Sequence, residues 1–228
     1  MRDLMPKYEL HLHTAEGDKV VKENAAQIVR LYHDAGFDGI VVTNHYFSMF
    51  FDWFTDELVG ASHRQIIDRW LKGYYAAREE GEKLGMDILP GAEVRFDGSP
   101  NDYLVYGVDA DFFYQAPLLN RLKNVKELIA LLPVDACVVH AHPFRDRMVV
   151  ADPSPVWGIE VFNGSNESFR NQMARDFALY YGKNMTSGSD FHYAGACGLG
   201  GILTEKRITT PKELSEILRS GAYSLIEA

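Results

Sequence analysis

The chain of 228 residues contains few cysteines and carries a deficit of positive charge. Cys137 lies in an apolar run and Cys197 in a glycine-rich stretch, a spacing that excludes a disulfide framework and a zinc finger. Lysine and arginine total 23 against 32 aspartates and glutamates, so the net charge is −9. This charge argues against a protein that follows a nucleic-acid backbone, although Arg145 and Arg147 could bind a small anion.

Long apolar runs are also missing. No segment reaches the ~18 consecutive apolar residues of a membrane span, and the chain does not start with the basic and apolar regions of a signal peptide. There is no internal repeat, no low-complexity segment and no glycine-rich phosphate-binding fingerprint. We therefore expect a single domain over residues 1–228 that stays in a reducing cytoplasm.

Strand and helix patterns alternate along the chain. Strands are predicted at residues 8–13, 39–43, 87–94, 103–108, 137–141, 158–162, 184–188 and 223–226. Helices are predicted at residues 24–35, 62–84, 125–132, 168–181 and 213–220. Seven or so parallel strands with intervening helices favour an α/β barrel over an open sheet, because polar residues follow many different strands and converge on one face only in a barrel.

Histidines gather where these strands end. Six of the eight lie in four clusters, each next to an apolar run: His11 and His13, His45, His140 and His142, and His192 beside Asp190. Side chains two apart on a strand point the same way, and imidazole and carboxylate groups are common ligands of divalent metals. A lone histidine is more often a packing residue, which is how we interpret His33 and His63 on their predicted helices. The clusters predict a metalloenzyme.

The order of these motifs resembles the PHP family, named for polymerase and histidinol phosphatase. The resemblance covers almost the whole chain and rests on the His-x-His pair, an acidic residue five positions later, Thr-Asn-His, a glutamate after a strand, His-Pro and Gly-Ser-Asp-Phe-His. In this sequence they fall at His11 and His13, Asp18, His45, Glu93, His142, and Asp190 with His192. The resemblance implies a distorted (β/α)7 barrel of the TIM type, with two or three divalent ions (Zn, Mn or Fe) at its carboxyl-terminal face.

The resemblance also implies three sets of metal ligands. The first set is His11, His13, Glu93 and Asp190, and the second is Asp18, His45 and His192. The third takes Glu93, His142 and a histidine on the strand after Glu93. That strand has Leu104 and no histidine here, so the third ion is expected to be weakly held, with His140 as a possible substitute. Asn44 also replaces the commoner aspartate before His45, and it is expected to orient His45 without bringing a charge.

The implied activity is hydrolysis of a small soluble phosphate ester by a metal-activated water. Arg145 and His192 are the residues expected to act on the substrate, and Arg95 could also grip a phosphate. Glu160 and Asn163 are expected to support the site. Two alternatives stay open: hydrolysis of an amide or carboxylic ester, and a metal-binding regulatory domain without turnover.

One stretch has no assigned role. Residues 46–60 are rich in phenylalanine and tryptophan and could cover the site as a lid or pack as a helical turn. Packing is the more common fate of such a segment, so we favour it.

Overall fold

The computed structural model describes residues 5–228, so the first four residues of the predicted domain lie outside it. Its strands are β1 (Lys7–Leu12), β2 (Gly39–Val42), β3 (His45–Tyr46), β4 (Asp87–Pro90), β5 (Ala92–Arg95), β6 (Asp102–Tyr106), β7 (Cys137–His140), β8 (Gly158–Asn163), β9 (Asn184–Gly188), β10 (Gly200–Thr204) and β11 (Tyr223–Glu227). Its α-helices are α1 (Ala25–Asp34), α2 (Ser48–Trp53), α3 (Thr55–Leu58), α4 (His63–Trp70), α5 (Lys72–Leu84), α6 (Ala110–Gln115), α7 (Val125–Leu131), α8 (Ser168–Tyr180) and α9 (Pro211–Ser220).

Seven strand positions form a closed barrel. β2 continues into β3, and β4 continues into β5. β2 pairs in parallel with β4, and β3 pairs in parallel with β5. The ring then runs through β6, β7, β8 and β9. It closes where the N–H of His13 donates to the carbonyl of Phe191 at 3.2 Å and the N–H of Phe191 donates to the carbonyl of His11 at 3.3 Å. The predicted α/β fold, a distorted (β/α)7 barrel, is confirmed.

The prediction that all the barrel strands are parallel is wrong for β6. It runs antiparallel to both β5 and β7. A parallel connection needs a crossover of about a dozen residues or more, whereas residues 96–101 form only a short turn. The beginning of β6 therefore lies at the same end of the barrel as the carboxyl ends of its neighbours.

The carboxyl-terminal part adds two antiparallel strands outside the ring. β10 pairs with β1, and β11 pairs with β10. β11 matches a predicted strand, whereas β10 was not predicted, because the glycines at its start are typical of a loop. The predicted helix over 62–84 is two helices, since α4 ends at Trp70 and α5 begins at Lys72, with Leu71 between them.

Two apolar layers surround the barrel strands. The inner layer fills the ring, with buried side chains such as Leu10, Val41, Leu104 and Val139. The outer layer packs the other strand faces against the helices. The ring is therefore a filled core, and the candidate ligand side chains lie at its carboxyl-terminal end.

The aromatic stretch 46–60 packs as short helices, as the sequence analysis favoured. α2 and α3 bury Phe50, Phe54 and Leu58 in the outer layer. The guanidinium of Arg69 lies 3.6 Å from the ring centroid of Phe54 and thereby fastens the stretch to α4.

Within residues 5–228, no helix combines the length and apolar character needed to cross a bilayer.

The inner layer predicts a large cost for truncating Leu104, whose side chain is fully buried on β6. Leu104→Ala should lower the free energy of unfolding by about 2–5 kcal/mol, because a cavity is left in a closed barrel. Urea denaturation measures this change. Leu131→Ala, at a position 42% exposed, is the control and should change stability by less than about 1 kcal/mol. Equal effects of the two substitutions would contradict a filled barrel core.

Candidate metal centre

Strands from around the ring deliver polar side chains to the carboxyl-terminal face. β1 carries His11, with His13 just beyond it, while β3 begins at His45 and β5 contains Glu93. His142 follows β7 by two residues, and Asp190 follows β9 by two. All eight predicted ligands lie at this face, and only His45 and His192 have side chains more than a few per cent exposed, at 14% and 25%.

Four of these side chains surround one point. Oε2 of Glu93 lies 3.3 Å from Nε2 of His11 and 3.3 Å from Nε2 of His13. Oδ1 of Asp190 lies 3.5 Å and 3.2 Å from the same two nitrogens. A tetrahedral ion with ligand bonds of about 2.0–2.1 Å keeps its ligand atoms about 3.3–3.4 Å apart.

None of these four atoms has a hydrogen-bond partner among the described residues, although all are buried. Unpaired buried polar atoms are costly and need an explanation. A shared ion provides one, since its charge would satisfy all four at once. This first group matches the first predicted ligand set.

The second predicted set comes together around stacked imidazoles. The rings of His13 and His45 are stacked with centroids 4.0 Å apart, and the nitrogens of His13, His45 and His192 approach within 4.8 Å. Asp18 lies against this second group: its Oδ2 contacts Nδ1 of His45 and is 3.9 Å from Nε2 of His192. Asp18 is thus placed either to bind an ion or to orient His45.

The third group contains a residue that the sequence analysis missed. Nε2 of His142 lies 2.8 Å from Oε1 of Glu93 and 3.9 Å from Oδ2 of Asp102, and ligand atoms of all three fall within 4.8 Å. Asp102 begins the antiparallel strand β6, at the end facing the site. Leu104, on the strand where the resemblance places a histidine ligand, is in the barrel core. The short turn before β6 was the signal that could have identified Asp102.

His140 lies apart from these groups. Its ring stacks on Tyr103 with centroids 5.1 Å apart, in the outer layer, and it joins none of the described ligand clusters. The expectation that it shares a strand face with His142 fails because β7 ends at His140, and His142 has a left-handed φ of 28°. The structure gives no support to His140 as a substitute ligand.

Glu160 and Asn163 support the site as expected. Oε1 of Glu160 lies 2.7 Å from Nδ1 of His11, and its Oε2 accepts from the backbone N–H of His142 at 2.9 Å and from Nδ2 of Asn163 at 3.0 Å. A carboxylate on the far nitrogen of a ligating histidine fixes its ring and increases its basicity. Glu160 thus orients candidate ligands of two different groups.

Gly188 leaves space for the contact between His11 and Glu160. A Cβ on Gly188 would lie 2.4 Å from Cβ of His11 and 3.0 Å from Oε1 of Glu160. Any other residue at this position would displace the His11 ring.

Both predicted arginines contact acidic groups. Arg145 donates through Nη2 to Oδ2 of Asp190 and to Asn163 at 2.9 Å, and through Nε to Asn166 at 3.0 Å. Arg95 makes two hydrogen bonds of 2.6 Å to Asp102. Both arginines leave Nη1 without a hydrogen bond to any described residue, but only Arg145 bonds a residue of the first group, Asp190.

The side chain of Asn44 makes no hydrogen bond to His45. Its amide exchanges hydrogen bonds with Thr14, including a 2.8 Å bond from the Thr14 N–H, and it fixes the loop after β1. The expectation that Asn44 orients His45 directly is therefore wrong, because the side chain points toward that loop.

The carboxylates control the protonation of the imidazoles. Burial lowers the pKa of His45, but Glu93 and Asp18 outweigh burial and raise it to about 10. Burial is likewise outweighed at His11, where Glu160, Asp190 and Glu93 hold the pKa well above its usual value. Burial and the neighbouring His45 lower the pKa of His13 to about 3. At neutral pH, protons on His11 and His45 thus balance part of the acidic charge.

Comparison with known proteins agrees with this fold. Residues 169–223 match the family described as PHP-associated. No curated protein matches the chain by sequence.

Three solved structures share the fold at low sequence identity. A two-domain protein of Bacteroides vulgatus ATCC 8482, containing a predicted PHP-like metal-dependent phosphoesterase, matches with a TM-score of 0.67 and 17% identity over 100% of this chain and 66% of its own. PsfC from Pseudomonas syringae PB-5123 matches with a TM-score of 0.67 and 16% identity over 99% of this chain and 92% of its own. Endonuclease Q, in complex with a 27-mer duplex bearing an abasic lesion at the active site, matches with a TM-score of 0.60 and 11% identity over 95% of this chain and 57% of its own.

The chain thus spans slightly under two thirds of the Bacteroides protein. The PHP-associated match over residues 169–223 and the barrel shared with these structures support the resemblance to the PHP family.

Metal binding should release protons. An imidazole binds metal through its unprotonated nitrogen, so protons held by His11 and His45 must leave, and apparent affinity should rise with pH until it passes the His45 pKa of about 10. Calorimetric titration with Mn²⁺ at one pH, in two buffers of different ionisation heat, should show different observed heats. Equal heats in both buffers would mean that no proton leaves.

The third group predicts a role for Asp102. Asp102→Asn should weaken metal binding at the third group by about tenfold or more, because a charged oxygen donor is lost there. The first group should keep its affinity. Elemental analysis and anomalous scattering measure the occupancies. Asp97→Asn is the control, since that carboxylate accepts a hydrogen bond from Asn120, in a short 3-10 helix outside the three groups. Unchanged occupancy in Asp102→Asn would remove Asp102 from the ligands.

Proposed function

We propose that this protein is a metal-dependent phosphoesterase that hydrolyses a small soluble phosphate ester. The observation that carries the proposal is the spacing of the first group, in which the unpaired buried nitrogens of His11 and His13 each lie 3.2–3.5 Å from the unpaired oxygens of Glu93 and Asp190. Bound divalent ions would supply a water of lowered pKa and would neutralise phosphoryl oxygens. We assign one ion to this group and one to the second group, with Glu93 between them.

Arg145 is the residue we assign to the phosphate. Its guanidinium is fixed by Asp190, Asn163 and Asn166, while Nη1 remains available and the side chain is 29% exposed. A planar donor held beside a metal ligand can bind a phosphoryl oxygen without further ordering. The same contact keeps Oδ1 of Asp190 directed at the first group.

His192 is the most exposed of the proposed ligands. Its Nδ1 lies 3.0 Å from the carbonyl oxygen of Asp190, and its Nε2 lies toward Asp18. It stands where substrate would enter, so we assign it both to the second ion and to contact with the substrate.

A small cavity adjoins Arg145. It measures about 390 Å³ and is lined by Arg145, Ser165, Asn166, Arg170 and two acidic side chains. We assign it to the leaving group of the ester. Its polar lining suits a hydrophilic substrate.

A nucleic-acid substrate is the second candidate. The likeness to endonuclease Q, over 95% of this chain, favours it. The net charge of −9 opposes it, because phosphate backbones are bound mainly through lysine and arginine. We therefore rank a small ester first and include DNA in the test.

We further propose that the chain acts as one domain and works in the cytoplasm. Cys137 and Cys197 are both free thiols, which suits a reducing compartment.

Chelation and reloading test the proposed activity. Chelator-treated protein should lose hydrolysis of an aryl phosphate and regain it with Mn²⁺ or Zn²⁺. His13→Ala should lower kcat/KM more than about 100-fold, since losing a ligand should exceed the effect of losing a group that supports one. His33→Ala, on the exposed face of α1, is the matched control and should retain activity.

The substrate panel separates the alternatives. It should contain phosphomonoesters, phosphodiesters, carboxylic esters, amides and duplex DNA with an abasic lesion. Cleavage of DNA alone would favour the nuclease, and cleavage of esters or amides alone would favour the other hydrolase. Bound metal with no turnover on any substrate would overturn the proposed activity and favour a regulatory domain.

A further inference from the structure

Glu9 is a fully buried carboxylate that belongs to none of the three candidate metal groups. It lies on β1, two residues before His11. Its side chain reaches Tyr32 on α1, whose hydroxyl donates to Oε2 at 2.8 Å. Burying a carboxylate costs free energy unless hydrogen bonds compensate, so its partners indicate what it stabilises.

The other partners of Glu9 are groups at or next to two proposed ligands, His11 and Asp190. Oε1 accepts from the N–H of Leu10 at 3.0 Å, of His11 at 2.8 Å and of Ser189 at 2.9 Å. The hydroxyl of Ser189 donates to Oε2. Since Ser189 directly precedes Asp190, one carboxylate joins the ligand-bearing end of β1 to the ligand-bearing end of β9.

The same carboxylate stabilises an irregularity in β1. The register between β1 and β2 shifts between Glu9 and Leu12. Leu10 packs in the inner layer, yet the next side chain, His11, also faces into the barrel and contacts Glu160. A regular strand alternates its faces, and a bulge places successive residues on one side. The N–H groups of Leu10 and His11 both donate to Glu9.

We propose that Glu9 is a positioning residue for the metal centre: it holds the bulge that turns His11 into the site and fixes His11 relative to Asp190. This inference rests on the metal binding proposed above. Glu9 acts through the backbone and needs acceptor oxygens in place, so its contribution is to metal affinity.

Two substitutions test whether Glu9 acts as a hydrogen-bond acceptor or only fills space. Glu9→Gln keeps the size and one carbonyl oxygen for the three N–H groups, while the hydroxyls of Tyr32 and Ser189 can accept from its amide. Glu9→Leu keeps a similar size and removes both acceptors. In calorimetric titration with Mn²⁺, Glu9→Leu should bind its tightest ion about 10- to 100-fold more weakly, and Glu9→Gln should lose less than about tenfold.

Tyr32→Phe is the matched control. It removes a hydrogen bond to Glu9 but leaves the three backbone bonds in place. We expect a lower melting temperature and unchanged Mn²⁺ affinity. If affinity fell in step with melting temperature across all variants, Glu9 would be a general stabiliser and the proposal would be overturned.

Each outcome decides the matter. Folded Glu9→Leu with wild-type affinity, or Glu9→Gln as impaired as Glu9→Leu, overturns the proposal. If Glu9→Leu does not fold, Glu9→Ser replaces it with the same expected loss, since its side chain is too short to join His11 to Ser189. If the wild-type protein binds no Mn²⁺, the proposed function fails; if it binds Mn²⁺ without turnover, the role of Glu9 is still tested, because the readout is affinity.

Discussion

Most of the polar architecture follows from burying many acidic groups at one end of a filled barrel. Charges removed from water are tolerated only when paired and hydrogen-bonded. Asp190 satisfies this condition by dividing its oxygens: Oδ2 receives Arg145 and Asn163, and Oδ1 is left for the imidazoles. Glu160 divides its oxygens in the same way between His11 and the backbone of His142. Fixed donors hold one oxygen so that the other is correctly aimed.

The sequence predicted which residues would meet because barrel geometry depends on features that a sequence displays. Apolar runs mark strands, and the residues after parallel strands converge. That reasoning was sufficient for His13, Glu93 and Asp190. It did not find Asp102, because hydrophobic periodicity does not reveal the direction of a strand. Direction follows from the length of the connection, and the six residues before β6 are too few for a crossover.

Side-chain direction was harder to predict than residue position. Two-residue spacing was used to place both members of each pair on one face, and it failed at His140 because β7 ends there. Beyond that point a φ of 28° at His142 and of 51° at Asp190 turns the backbone in a way that non-glycine residues seldom adopt. The shift in β1 near His11 is a similar local irregularity. None has a sequence signature, because tertiary contacts impose each of them.

These irregularities have one physical logic. Left-handed backbone at a non-glycine residue costs about 1–3 kcal/mol and persists only where the surroundings enforce it. At His142 the enforcing contact is the hydrogen bond from its N–H to Glu160. The register shift near His11 has a comparable contact, the hydrogen bond from the His11 N–H to Glu9. Each enforcing carboxylate is buried beside the site and bonds backbone as well as side chains. Apolar burial in the barrel therefore stabilises the fold. The buried carboxylates, through their hydrogen bonds, hold the proposed ligands in positions that regular strands would not give them.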